Sequence, residues 1–93
     1  MVTNLINSNG RAVANQFVIT DGAQTVFQSY NSDIVMIDSS KKTLKFGSDY
    51  KYSRTTIKHR NKFLSDYFNT SVDTKMVDKA VKDGSLFGYK VSL

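Results

Sequence analysis

Asp38 and the triplet Asp49-Tyr50-Lys51 form the pattern in this chain that most resembles catalytic machinery. Metal-dependent nucleases use such a set: two carboxylates hold Mg²⁺, and the lysine activates water or steadies the scissile phosphate. The spacing across a hairpin is roughly right for that chemistry. Against it, Asp49 follows Gly47 in a loop rather than on a strand, and the Glu of that pattern is missing. Asp-x-Lys also recurs by chance as Asp73-Thr74-Lys75. His59 lies between Lys58 and Arg60, whose charges disfavour its protonation, and the sequence places no Ser or Asp beside it. Ser39-Ser40-Lys41-Lys42 holds the ingredients of a Ser/Lys pair but reads as a hairpin turn. The five glycines are too dispersed for a phosphate loop. The expectation is a protein that is not an enzyme and carries no cofactor or metal.

Binding chemistry is better represented. Tyr50-Lys51-Tyr52-Ser53-Arg54 interleaves aromatic rings with cations just ahead of a helix start, where backbone N–H groups favour anions. Exposed tyrosines stack bases at about 1–3 kcal/mol each. The competing reading is structural: Tyr50 and Tyr52 close the end of the core between sheet and helix. Further along, Arg54, Lys58 and Lys62 recur at i, i+4 and i+8 and form a ridge, with Arg60 nearby. The acid within reach of the ridge is Asp66, four residues after Lys62 and in the less favourable order. A ridge of like charges costs helix stability, which argues for a use; the plain alternative is a solvated face. The candidate partner- or phosphate-binding set is therefore Tyr50, Lys51, Tyr52, Arg54, Lys58, Arg60 and Lys62.

Charge distribution sharpens this. Of 93 residues, 13 are Lys or Arg and eight are acidic, all of them Asp, for a net charge of +5. Residues 1–40 sum to −2, residues 41–62 to +7 and residues 63–93 to zero, so the excess sits in 22 residues. Such asymmetry points to an anionic partner. With no Cys there is no disulfide framework, zinc–thiolate site or thiol nucleophile, and one His excludes a multi-histidine metal site. No apolar run approaches the roughly 18 residues of a membrane span. Residues 1–10 lack a basic-then-apolar leader pattern. The expected setting is cytoplasmic, with no membrane partner.

The elements that position these residues follow from periodicity. Residues 1–12 read as a loosely ordered N-terminus, with the single domain occupying 13–93. Gln16–Thr20 and Ala23–Tyr30 flank Asp21-Gly22, a type I′ hairpin signal. Asp33–Asp38 is apolar through its centre, as in a central strand, and Thr43–Phe46 follows a turn. Ser53 caps a helix running to about Phe68, with Ile57, Leu64 and Phe68 as its buried stripe and Tyr67 on the flank. Asp73 caps a second helix from Thr74 to Asp83, with Met76, Val77, Ala80 and Val81 inward and Asp78–Lys82 as an i, i+4 pair. Gly84 ends it. Phe87, Tyr89, Val91 and Leu93 then alternate as a single returning strand. The predicted fold is α+β, a four-stranded antiparallel meander followed by two helices and a C-terminal strand (ββββααβ), with both helices on one sheet face.

Ala14-Asn-Gln-Phe-Val-Ile19, Phe27-Gln-Ser-Tyr-Asn-Ser-Asp33 and Tyr52-Ser-Arg-Thr-Thr56 through Phe63-Leu64 carry a resemblance. Over about residues 14–64 the chain resembles small uncharacterised proteins of bacteriophages and conjugative elements of low-GC Gram-positive bacteria. The resemblance implies a genetic setting rather than a chemistry. By analogy, compact proteins encoded there include host-defence inhibitors of the anti-CRISPR type. The expected function is thus non-catalytic binding that inhibits a host defence nuclease through the basic helix surface. The partner would be that protein or its ribonucleoprotein complex. The alternative is a nucleic-acid-binding accessory protein that uses the same patch on DNA or RNA.

Overall fold

Turn chemistry and alternation build the predicted meander, and the sheet then extends beyond it on both sides. The structure is a computed structural model that describes residues 1–93. Its strands are β1 (Val2–Ile6), β2 (Ala12–Asp21), β3 (Gln24–Ser29), β4 (Ser32–Asp38), β5 (Thr43–Phe46), β6 (Ser85–Leu86) and β7 (Tyr89–Ser92). Helices α1 (Arg54–Phe68) and α2 (Thr74–Asp83) lie between β5 and β6. All seven strands form one sheet in the order β1-β2-β3-β4-β5-β7-β6, antiparallel except for the β5–β7 pair. The α+β class and the helix positions are as expected, but the sheet has seven strands rather than five.

Two departures account for the two additional strands. The N-terminal segment expected to be loose supplies β1, which pairs with β2 from Val2↔Ile19 to Ile6↔Ala12 and buries Leu5. Its signal in sequence is weak because Leu5 is the one buried residue of the five and Asn4 is a residue type depleted in strands. At the other end, the expected single strand is a hairpin. Phe87 and Gly88 both take positive φ (49° and 83°), which breaks the alternation at the turn and sends β7 back against β6. The β2–β3 turn also differs. Pairing continues through Asp21↔Gln24, and among the two loop residues only Gly22 has positive φ, as in a type II′ rather than a type I′ turn.

Register places the core on one face of the sheet. Val18, Phe27, Val35 and Phe46 lie side by side across β2–β5, and Thr25, Ile37, Leu44 and Val91 form the next row. The helices cover this face: Phe63 of α1 stacks on Phe27 with centroids 5.4 Å apart, and Val77 and Ala80 of α2 join the same buried cluster. The other face is open, with Ile19, Val26 and Met36 half-buried in one row that ends at exposed Lys45. An irregularity between Phe27 and Gln28 leaves Ile34 as an extra residue on β4, turned into the core. There the chain packs backbone against backbone. A Cβ on Gly47 would sit 1.9 Å from the Asp33 carbonyl oxygen, while the Gly47 N–H donates to Ile34 O at 2.9 Å. This contact fixes where the loop to α1 begins.

Both helix caps form as predicted. Ser53 Oγ accepts from the Thr56 N–H at 3.1 Å, and an Asp73 carboxylate oxygen accepts from the Met76 N–H at 2.9 Å. The buried face of α1 is rotated from the predicted stripe. Thr56, Arg60, Phe63 and Leu64 are buried, whereas Ile57 and Phe68 are only partly so. The predicted Asp78–Lys82 pair is replaced: Lys79 bridges Asp83 at 2.6 Å and Asp78 faces Lys51 at 3.6 Å.

Candidate functional site

The residues proposed from sequence separate into three environments. Arg60 is the clearest correction, being fully buried at 0% exposure. Its Nη1 donates to Tyr50 O at 2.8 Å, while Nε and Nη2 donate to Asn61 Oδ1 at 3.2 and 2.9 Å. Burial pulls its pKa down from the usual guanidinium value, and Asp78 and Tyr50 pull the other way. A guanidinium so enclosed is a structural strut between α1 and the loop before it, not a contact for a partner. Tyr50 shares that role: its ring lies 5.1 Å from Phe46, half-buried against the core. Lys51 is exposed, but Asp78 lies beside its ammonium group and the Tyr50 ring 5.4 Å away.

Besides Lys51, three candidates are exposed and a fourth is half-buried. Tyr52 is 79% exposed, so of the two tyrosines only Tyr50 closes the core. Arg54 and Lys58 are exposed, and Lys62 is half-buried with its ammonium on Asp66 at 2.7 Å. That pair forms in spite of its less favourable order and leaves Lys62 partly neutralised. The 22-residue basic segment does not make one patch. Lys41 and Lys42 lie in the β4–β5 turn, Lys45 on the open sheet face, and Arg54, Lys58 and Lys62 along α1.

Two concavities border α1. One, of about 340 Å³, lies between the β1–β2 turn and the helix and is lined by Asn7, Asn9, Lys58, His59 and Lys62 among others. No carboxylate lines it. Burial, and then the charge of Lys58, lower the His59 pKa, and its buried Nδ1 has no hydrogen-bond partner. The other, of about 640 Å³, lies at the start of α1 between the β3–β4 turn and the Asp49–Ser53 loop. Its walls carry Ser and Thr hydroxyls, Asn31, Asp49 and the rings of Tyr30 and Tyr52, with no cation. Sequence reasoning passed over Tyr30, Asn31 and the Asn7–Asn9 turn, because nothing local says that two hairpin turns converge on one helix.

The nuclease-like pattern does not assemble. Asp38 sits at the end of β4, where Oδ1 accepts from the Ser40 and Lys41 N–H groups and the Ser40 hydroxyl; these hydrogen bonds hold its pKa below the usual value. Asp49 instead accepts from Ser32 Oγ at 3.0 Å, at the start of the same strand. Six residues of strand, about 20 Å, separate the two ends. No group of three or more His, Cys, Asp or Glu side chains is placed to hold a metal ion. No helix is long and apolar enough to cross a membrane.

The model of one protein family matches residues 1–81, most of the chain. The chain belongs to DUF8033, a family of unknown function. No curated protein and no solved structure matches it. The matched span takes in β1 to β5, α1 and most of α2, so both concavities beside α1 lie in the part that DUF8033 describes, while the β6–β7 hairpin lies beyond it.

Proposed function

We propose that this protein is a small non-catalytic binding protein that lays the solvent face of α1 against a nucleic-acid-bearing partner. In a phage or mobile-element setting, its use would be to inhibit a host defence nuclease in the bacterial cytoplasm by occlusion. The observation that carries the reading is the groove formed by Lys58, His59 and Lys62 opposite the Asn7–Asn9 turn. It sets cations and amide donors around a space with no carboxylate in its lining. Arg54 continues the same ridge one turn earlier. Arg and Tyr dominate energetic anchors at interfaces; Arg54 is exposed on the ridge, and Tyr52 is exposed at the neighbouring cleft at the start of α1. A net basic surface argues against mimicry of DNA and for a grip on RNA or on an acidic nucleoprotein.

The same groove supports a second reading, a free nucleic-acid-binding accessory protein, because lysines and amide donors suit phosphates as well as a protein rim. Affinity capture of the tagged protein from a host lysate, with and without nuclease treatment, separates the two. A Lys58→Glu/Lys62→Glu variant serves as control. Recovery of one nuclease that survives the treatment and is lost in the variant supports inhibition. Nuclease-sensitive, mixed recovery supports the accessory role. Equal behaviour of wild type and variant refutes both, since the ridge would then be solvated surface only.

A further inference from the structure

We infer that the cleft at the start of α1 is a ribonucleoside pocket, which holds the base and ribose of a single RNA strand whose phosphates run on to Arg54, Lys58 and Lys62. The inference rests on the nucleic-acid reading above and narrows it to RNA. Its first support is the lining. A cleft of about 640 Å³ that offers Ser and Thr hydroxyls, Asn31 and the Asp49 carboxylate, and no cation, repels a phosphate and suits a neutral group rich in hydroxyls. Asp49 accepts only; Ser32 occupies one of its oxygens, and the other has capacity for a further donor. A ribose 2′-hydroxyl is the donor that RNA supplies and DNA lacks.

The second support is the pair of open rings. Tyr30 and Tyr52 both border this cleft and stay 62% and 79% exposed. Tyr30 does so from a backbone φ of 54°, a left-handed conformation that bulky residues seldom adopt and that costs of order 1–3 kcal/mol. Its N–H donates to the carbonyl of Asn15 at 2.7 Å, and Asn15 is itself at φ 63°. Asn15 takes that conformation readily, so the outlier is Tyr30, which the β3–β4 hairpin loop holds with its ring at the mouth of a polar cleft, where burial does not repay the strain. Behind the floor, Gln16 lies beside Ser29 in register and is 2% exposed, with its carbonyl oxygen unpartnered. The site is polar to its base.

The third support is continuity. Thr55 lines this cleft and His59, four residues on, lines the cationic groove, so the two follow one another along the same side of α1, about 6 Å or just over one turn apart. A strand with its base and sugar in the first reaches the lysines of the second with the next phosphates. Arg54 and Lys58, with Lys62 already partly offset by Asp66, give a log–log salt slope of about −1.4 to −2 on a single strand.

The test is fluorescence anisotropy with labelled rU10 and dU10, which differ only in the 2′-hydroxyl. Wild type is expected to bind rU10 about tenfold more tightly, as one charge-assisted hydrogen bond supplies. Asp49→Ala is expected to erase that preference. Tyr52→Ala, at an exposed position that leaves the fold intact, is expected to weaken both probes by roughly fivefold or more. Lys58→Glu should weaken rU10 and flatten its salt slope. Equal affinity for rU10 and dU10 with a normal salt slope overturns the ribonucleoside pocket and leaves the nucleic-acid reading standing. Retention of rU10 affinity by Lys58→Glu overturns the continuous track. If neither probe binds at low salt, both the pocket and the nucleic-acid reading fall.

Discussion

Truncating Arg60 should damage the fold and not the binding surface, and the structure sets the size of the effect. Arg60→Ala removes a fully buried side chain and three donated hydrogen bonds at once. The Tyr50 carbonyl loses its partner, which costs about 1–3 kcal/mol if it stays dry. Asn61 is half-exposed, so its oxygen regains water and contributes little. Large-to-small changes in cores add a void, and the series for other buried side chains spans about 2–5 kcal/mol. Relief from burying the charge offsets part of the sum. The expected net loss is about 3 kcal/mol, which lowers the Tm of a domain this size by roughly 12–24 °C. Arg60→Met keeps most of the volume and isolates the hydrogen-bond part, about 1–3 kcal/mol. Urea unfolding followed by circular dichroism reads both, with Lys58→Ala as the surface reference expected within about 0.5 kcal/mol of wild type. Under folding conditions Arg60→Met should bind its partner as wild type does. An Arg60→Met variant with unchanged Tm and tenfold weaker binding would show that the guanidinium is a contact after all.

Further outcomes follow from the same geometry. Gly47→Ala drives a methyl to 1.9 Å from the Asp33 carbonyl and must shift one backbone, so a loss of about 1–3 kcal/mol or more is expected in thermal unfolding. A Tm within a degree of wild type would show that the loop can yield. Acidification should lower stability through His59. Its folded pKa lies below the ordinary 6.5, so its contribution is full above pH 6.5 and lost as pH falls toward the folded value. The Tm should therefore drop between pH 7.5 and 5.5, and the drop should shrink in His59→Gln; a rise on acidification contradicts the assignment. Asp38, whose carboxyl is held low, acts separately and only as pH falls below 3.8. At the alkaline end, burial first and Tyr89 second push Tyr67 up to about 12. Its contribution is present below pH 10 and lost from there upward. Tyr67→Phe should flatten the loss of Tm above pH 10, and an unchanged alkaline slope would clear Tyr67 of that role.

What could be read in the sequence was what local chemistry controls. Ser53, Asp73 and Gly84 announce helix ends through bonds made within a turn, and each appears where expected. The meander follows from alternation and from turn residues a few positions apart. The β5–β7 pairing was out of reach, because Thr43↔Lys90 joins residues that no local pattern connects. Arg60 was misassigned for a different reason. A periodicity argument sends charges outward, yet Thr56, Arg60, Phe63 and Leu64 share one helical face, and the carbonyl that accepts from Arg60 belongs to a loop ten residues earlier. The basic segment likewise seemed one patch in one dimension, and three separate elements disperse it. Of the candidate site, the ridge was legible and the concavities were not, since each needs a hairpin turn brought to α1 by the sheet.

The parallel closure has a consequence for how the chain leaves the ribosome. β1 to β5 complete a local antiparallel set by residue 46, but the outer rim of β5 finds its neighbour only when β7, starting at residue 89, has been made. At about 5–20 residues per second that interval lasts roughly 2–9 s. Throughout it β5 offers a free hydrogen-bonding edge, and until α1 has been made the apolar face of the meander is uncovered as well, the two features that invite pairing with another chain. β5 is only four residues long and projects Lys45 from its centre, which limits what can add to it. The basic stretch that follows then emerges as α1 folds down to cover Phe27, so the same charges that face solvent in the finished protein keep its unfinished form apart from its copies.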